Sequence, residues 1–201
     1  TLNHFISSSL SGVYLDISKD RLYCNAKDDD IRKSSQSAMA IIAQKLLSIL
    51  APILTYTVDE VLEYAPKVIK GDNGDVFDLV YESIGDIDVD FDASYMGEAR
   101  EKFFEIVDNL KKDKKIKSTL EIVIQTTSKN IAKLQRVDQE DWFTVSKVIS
   151  HDDEEELATF EVADDKFKVL LASKAKCPRC WKQRSKDEES LCERCSGVVS
   201  V

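Results

Sequence analysis

An α+β chain assembled in several parts is what the sequence predicts, and three observations predict it. Apolar residues recur at helical spacing through most of residues 1–65, short β-branched runs alternate after residue 118, and two C-x-x-C pairs crowd residues 177–195. Shifts in composition divide the chain into a helical part over 1–69, an acidic linker over 70–95, a small α+β part over 96–173 and a cysteine-rich segment over 174–201.

Each element has its own local signal. In "NHFISSSLSGVYLDISKDRLYC" the apolar positions Phe5, Ile6, Leu10, Val13, Tyr14, Ile17 and Leu22 suit a helix with one buried face. Asp28, Asp29 and Asp30 are N-cap candidates for the next helix, which runs from Arg32 to Leu50 and becomes broadly apolar after Ala38. Pro52 interrupts it. Thr57-Val-Asp-Glu60 reads as a capping box, and the short helix it opens stops before Pro66. Residues 70–95, with Gly71, Gly74 and Gly85, read as an irregular excursion. Helical spacing returns over 96–113. "STLEIVIQTT" alternates as a strand does, "SKNIAKLQRV" reads as a short helix capped by Ser128, and "WFTVSKVIS", "LATFEVA" and "KFKVLLASK" are three more strand candidates. "HDDEEE" between two of them reads as a solvated acidic turn.

The chain has 201 residues, 43% of them hydrophobic, which is enough apolar material for a core. No apolar run approaches the roughly 18–20 residues of a membrane span. "TLNHFISSSL" has neither the basic start nor the apolar stretch of a signal peptide, so the expected compartment is the cytoplasm. The absence of an initiator Met leads us to expect a piece of a longer polypeptide. The net charge of −9 taken alone argues against a nucleic-acid partner. The average conceals local patches. Residues 51–100 are strongly acidic, residues 174–186 hold Lys174, Lys176, Arg179, Lys182, Arg184 and Lys186 with no acidic residue, and "KKDKKIK" over 111–117 sets five lysines against Asp113. A polyanion responds to such patches, because screening limits electrostatic reach to about 8–10 Å at physiological salt.

Cys177 and Cys180 are separated by two residues, as are Cys192 and Cys195, and eleven residues lie between the pairs. Each C-x-x-C turn brings two sulfurs to one side of a knuckle, and two knuckles supply the tetrahedral thiolates that Zn²⁺ prefers. Disulfides would need an oxidising compartment, and a thioredoxin-like motif would use one such pair. The reading is one structural zinc in a closed site with no position for an activated water. The segment is too short for a sufficient core, so the metal is expected to supply much of its folding free energy and to let it fold separately from the helical part. Cys24 lacks a partner in this spacing, and neither His4 nor His151 has a cysteine-rich context. Trp181 follows the first knuckle among cations. It either packs beside the metal or offers its face to single-stranded nucleic acid, whose bases stack while lysine and arginine meet phosphates.

"LSGVYLDISKDRLYC", "RKSSQSAM" and "LAPILTYTVDEVLEY" resemble the helical anticodon-binding domain of class I aminoacyl-tRNA synthetases of the isoleucine, valine and leucine group. "YLDISKDRLY", "APILTYTVDEV", "EAREKFFEIVDNLKKDKKIKSTLEI" and "KCPRCW…CERC", in this order, are most similar to the bacterial-type isoleucyl-tRNA synthetases. The resemblance is thin over 67–95 and 127–165. It implies a partial anticodon-binding bundle over 1–69, a junction domain over 96–173 and a four-cysteine zinc finger over 174–201. It also implies tRNA(Ile) as partner of a monomeric ligase. ATP and Mg²⁺ would act in a catalytic domain upstream, as would an editing domain, and neither signature motif of the catalytic domain occurs in these residues. The candidate tRNA-contacting residues are Lys19, Arg21, Arg32, Lys33, Lys176, Arg179, Trp181, Lys182 and Arg184; the first four could equally be a solvated rim beside Asp16, Asp20 and Asp28. Two alternatives from other classes are a DNA-binding zinc module of a repair enzyme and a protein-interaction module. No carboxylate pair comes with a nucleophile, histidine or glycine-rich loop that would suggest catalysis.

Overall fold

The computed structural model describes residues 1–72, 74–88, 92–134, 136–151 and 155–200, with backbone alone at 136 and 137; residues 152–154, the centre of the acidic turn expected in "HDDEEE", lie outside the described residues. In chain order the elements are α1 (Leu2–His4), a π-type stretch (Phe5–Leu15) and α2 (Asp16–Cys24), which run on as one helical segment. There follow α3 (Asp30–Leu50), α4 (Thr55–Tyr64), α5 (Lys67–Lys70), a 3₁₀ turn (Val76–Asp78), α6 (Ala93–Lys112) and a second 3₁₀ turn (Thr119–Glu121). The remaining elements are β1 (Ile122–Thr126), α7 (Lys129–Ala132), α8 (Arg136–Phe143), β2 (Lys147–Ile149), β3 (Glu156–Val162), β4 (Asp165–Leu171), β5 (Ala175–Lys176), β6 (Gln183–Ser185) and α9 (Glu193–Val199). No helix among the described residues is long and apolar enough to cross a membrane.

The chain forms two compact units, one of residues 26–88 and the other of residues 1–25 with 89–201. These cuts differ from those that composition suggests, because α2 belongs with the sheet and the cysteine-rich segment through side-chain contacts that composition does not register.

In the 26–88 unit, Asp29 caps α3 by accepting the Arg32 N–H at 2.9 Å, as the acidic triplet predicts. Leu47 of α3 packs with Val58 and Leu62 of α4 and with Val76 of the 3₁₀ turn. The capping box expected at Thr57–Glu60 does not form. The helix starts at Thr55, behind an N-cap at Leu54 that has no side-chain cap, and the Thr55 hydroxyl donates to the Ala51 carbonyl at 2.8 Å. Burying Val58 and Leu62 places Thr57 inside the helix.

In the other unit a four-stranded sheet has the order β2-β1-β4-β3, with β1 parallel to β2 and the remaining pairs antiparallel. Alternation in β1 buries Ile122, Ile124 and Thr126 on one face. Met96, Ala99, Phe103, Val107 and Leu110 of α6, spaced three and four apart, join the same core. The Phe103 ring meets Phe143 edge-on at 5.5 Å, and Phe160 stacks on Phe167 at 4.6 Å. Trp142 and Phe143 end α8 instead of opening a strand. The Trp142 indole donates to the Met96 carbonyl at 3.0 Å and Phe143 is fully buried, so packing overrides their β propensity. Ser128 caps α7 as predicted, and its hydroxyl also donates to Asp165 at 2.6 Å.

Candidate metal centre

Strands β5 and β6 pair antiparallel, and the first C-x-x-C forms the turn between them. The Cys177 N–H donates to the Lys182 carbonyl at 3.0 Å and the Trp181 N–H to the Cys177 carbonyl at 2.9 Å. This closes a tight knuckle, and Trp181 adopts the left-handed φ of 65° that the turn requires. The second pair straddles the start of α9, with Cys192 as its N-cap residue. All four sulfurs lie within 4.8 Å of one another and all four cysteines are buried. The Cys180 and Cys192 sulfurs are 3.8 Å apart. Sulfurs bound tetrahedrally at about 2.3 Å would be separated by about 3.8 Å, so the cluster fits a zinc ion. The fifth cysteine, Cys24, packs against this cluster without belonging to the four-sulfur group.

Donors converge on the sulfurs. The Cys192 N–H reaches Cys177 Sγ at 3.4 Å and Arg179 Nη1 reaches Cys195 Sγ at 3.5 Å. Burial by itself would raise the Cys177 thiol, but the backbone N–H groups of Cys180, Cys192 and Arg179 bring it down to about 6. Burial pushes Cys180 and Cys192 up, and Cys24 to about 11. A dication would remove the cost of ionising the four clustered sulfurs together, whereas Cys24, outside that set, stays a protonated thiol.

The basic run around the knuckles divides into two groups. Lys182 is 2% exposed and its ammonium sits 3.0 Å from Asp141 and 3.4 Å from Asp20. Arg184 pairs with Glu140, and Arg179 donates to the Cys24 carbonyl at 2.6 Å. These three are candidates for phosphate contact by sequence, but their charged groups are directed into the protein, and Lys182 is closed to a phosphate. Arg194, which no sequence pattern singles out, donates to Asp20 at 2.9 Å. Burial would raise Asp20, but the hydrogen bond from Arg194 and the charges of Lys182 and Arg194 hold it at about 2. Arg21, another candidate, pairs with Asp138 at 2.7 Å and Asp141 at 2.9 Å. Lys19 is exposed and pairs loosely with Asp16 at 3.2 Å. Arg32 and Lys33 lie in the first turn of α3, in the other unit, Arg32 half-buried and Lys33 exposed.

The outward group contains Lys176 and Trp181. Trp181 is 61% exposed, so it does not pack the interior of the knuckle, and the Lys176 ammonium lies 5.2 Å from its ring centroid. Beside it a cleft of about 370 Å³ is lined by Ile17, Lys19, Tyr23, Leu120 and Trp181, among others. No spacing signal marks Asp20, Asp141 or Arg194 as parts of one network. Asp20 and Arg194 are 174 residues apart in sequence, and Asp141 and Lys182 are 41 apart.

Residues 1–127 match the anticodon-binding domain of tRNA ligases, and the chain belongs to that family. Within it, the chain is 55% identical over 200 residues to the isoleucine–tRNA ligase of Campylobacter concisus and 53% identical over 200 residues to that of Sulfurimonas denitrificans. Each alignment covers 100% of this chain and 22% of the relative, so the chain spans about a fifth of the length of these curated relatives.

Proposed function

We propose that the chain is the non-catalytic, tRNA-recognising C-terminal region of a cytoplasmic isoleucine–tRNA ligase. The whole enzyme would join isoleucine to tRNA(Ile) with ATP and Mg²⁺, chemistry that belongs to parts of the enzyme other than these residues. Within the chain, residues 1–69 would serve as anticodon-binding bundle, 70–95 as linker, 96–173 as junction domain and 174–201 as zinc finger. Cys177, Cys180, Cys192 and Cys195 would hold one structural zinc. The observation that carries the reading is Trp181, presented outward by the metal knuckle with Lys176 over its ring and Tyr23 and Lys19 across the cleft. An exposed aromatic face among cations suits an unstacked base with phosphates on either side.

Binding of tRNA(Ile) and of duplex DNA by the zinc-loaded chain at several salt concentrations tests this reading. It predicts preference for tRNA, and for Trp181→Ala a loss of about 1–3 kcal/mol with little change in salt slope. Equal affinity for duplex DNA would favour a DNA-binding module instead. Unchanged affinity in a zinc-loaded Trp181→Ala chain would remove the tryptophan from the interface.

A further inference from the structure

The second basic run, Lys111-Lys-Asp-Lys-Lys-Ile-Lys117, has a different fate from the first. It spans the end of α6 and the turn that follows, and all five lysines are exposed. None of their side chains makes an ion pair or hydrogen bond with another described residue, whereas Lys182, Arg184 and Arg194 all pair internally. The turn is firmly built. The Lys115 N–H donates to the Leu110 carbonyl at 2.9 Å and the Lys114 N–H to that of Lys111 at 3.0 Å, with Lys114 at a left-handed φ of 58°. Ile116 is buried in the main core, and the Lys117 N–H is accepted by the Glu121 carboxylate at 3.0 Å. The lysines therefore extend from a fixed frame.

Helix stabilisation accounts for only part of this charge. Lys111 and Lys112, in the last turn of α6, offset its dipole, but that effect falls off within the turn, and Lys114, Lys115 and Lys117 lie beyond it. Asp113 is the one acid within the run, and Asp108, one turn back, forms no ion pair with it. The run also leads straight to the aromatic cleft. Leu120, a wall of the cleft with Tyr23 and Trp181, is three residues after Lys117, so their Cα atoms are at most about 11 Å apart.

We propose that the Lys111–Lys117 turn is a phosphate-gripping surface for the RNA backbone, continuous with the cleft at Trp181. This rests on the tRNA-binding reading above and adds the element that supplies most of its salt-dependent attraction. A lysine that meets one phosphate contributes roughly 0.7–0.9 to the logarithmic salt slope. The test compares the zinc-loaded wild type with Lys114→Gln/Lys115→Gln/Lys117→Gln, with the same three positions changed to Arg, and with Trp181→Ala. Affinity for tRNA(Ile) is measured over a range of salt, with zinc content and circular dichroism checked for each. The glutamine variant is expected to bind about tenfold or more weakly near 0.1 M salt, with a slope lower by about two units, and the arginine variant to keep the wild-type slope. If the folded glutamine variant keeps wild-type affinity and slope while Trp181→Ala weakens binding, the lysine turn is not part of the interface and the tRNA reading survives. If the wild type itself does not prefer tRNA, both fall.

Discussion

Lys182 shows how much a single residue can reverse a charge-based reading. Lysine is almost never fully buried unless paired, and here the pairing is double. The Asp141 side chain is 0% exposed, so Lys182→Ala would leave a buried carboxylate with Arg21, at 2.9 Å, as its remaining cation. The expected cost is about 1–3 kcal/mol in urea denaturation, with no change in the salt slope of tRNA binding for the protein that remains folded. A stable Lys182→Ala chain with a reduced slope would mean that this ammonium faces phosphate after all. Asp20 makes a pH-dependent contribution. Its folded value of about 2 lies below the ordinary 3.8, so folding favours the carboxylate. That contribution is complete above about pH 4 and is lost as pH falls towards 2, and it amounts to about 2 kcal/mol. Acid titration of stability should therefore be shallower for Asp20→Asn than for wild type across that window. The clustering of Cys177, Cys180, Cys192 and Cys195 was legible because ligand spacing is local. The fate of the neighbouring cations was not, because their partners on α2 and α8 are remote in sequence and carboxylates are common everywhere in this chain.

Among the elements, α2 departs furthest from what its own sequence suggests. Its apolar pattern is that of an ordinary bundle helix, yet its polar face is clasped by the cysteine module: Arg179 holds the Cys24 carbonyl, and Lys182 and Arg194 hold Asp20. Separate folding of the module, expected from its small size, and coupling to α2 through these contacts make different forecasts. Hydrogen exchange after chelation should increase in residues 174–200 and also in the last turn of α2, while α3 and α4 keep their protection; protection of α2 unchanged by chelation would contradict the clasp. Zinc content should be one per chain, retained in Cys24→Ser and reduced in Cys177→Ser. Strands β1, β3 and β4 were legible from alternation, and the α3 and α7 caps from Asp29 and Ser128. The start of α4 and the end of α8 were not, since Val58 and Phe143 are placed by burial in tertiary cores instead of by their immediate neighbours.

At the scale of the whole molecule, the two compact units have separate cores, one around Leu47, Val58 and Leu62 and one around α6 and the sheet. Calorimetry should resolve two transitions, and chelation should lower only the one belonging to the unit that carries the cysteines. A single transition that shifts as a whole would show the units melting together. The net charge of −9 hid the organisation of charge most completely, because its basic minority serves two purposes: one set neutralises buried carboxylates, and the Lys111–Lys117 turn stays exposed. The clasp on α2 also has a consequence in time. A ribosome adding about 5–20 residues per second needs roughly 9–35 s to travel the 174 residues from Asp20 to Arg194. For most of that interval Asp20 lacks both of its cations, Lys182 and Arg194. The segment that carries Cys192 and Cys195 thus completes a structure begun at α2, so loss of the residues from Cys192 on would leave a defect in α2 as well as in the cysteine module.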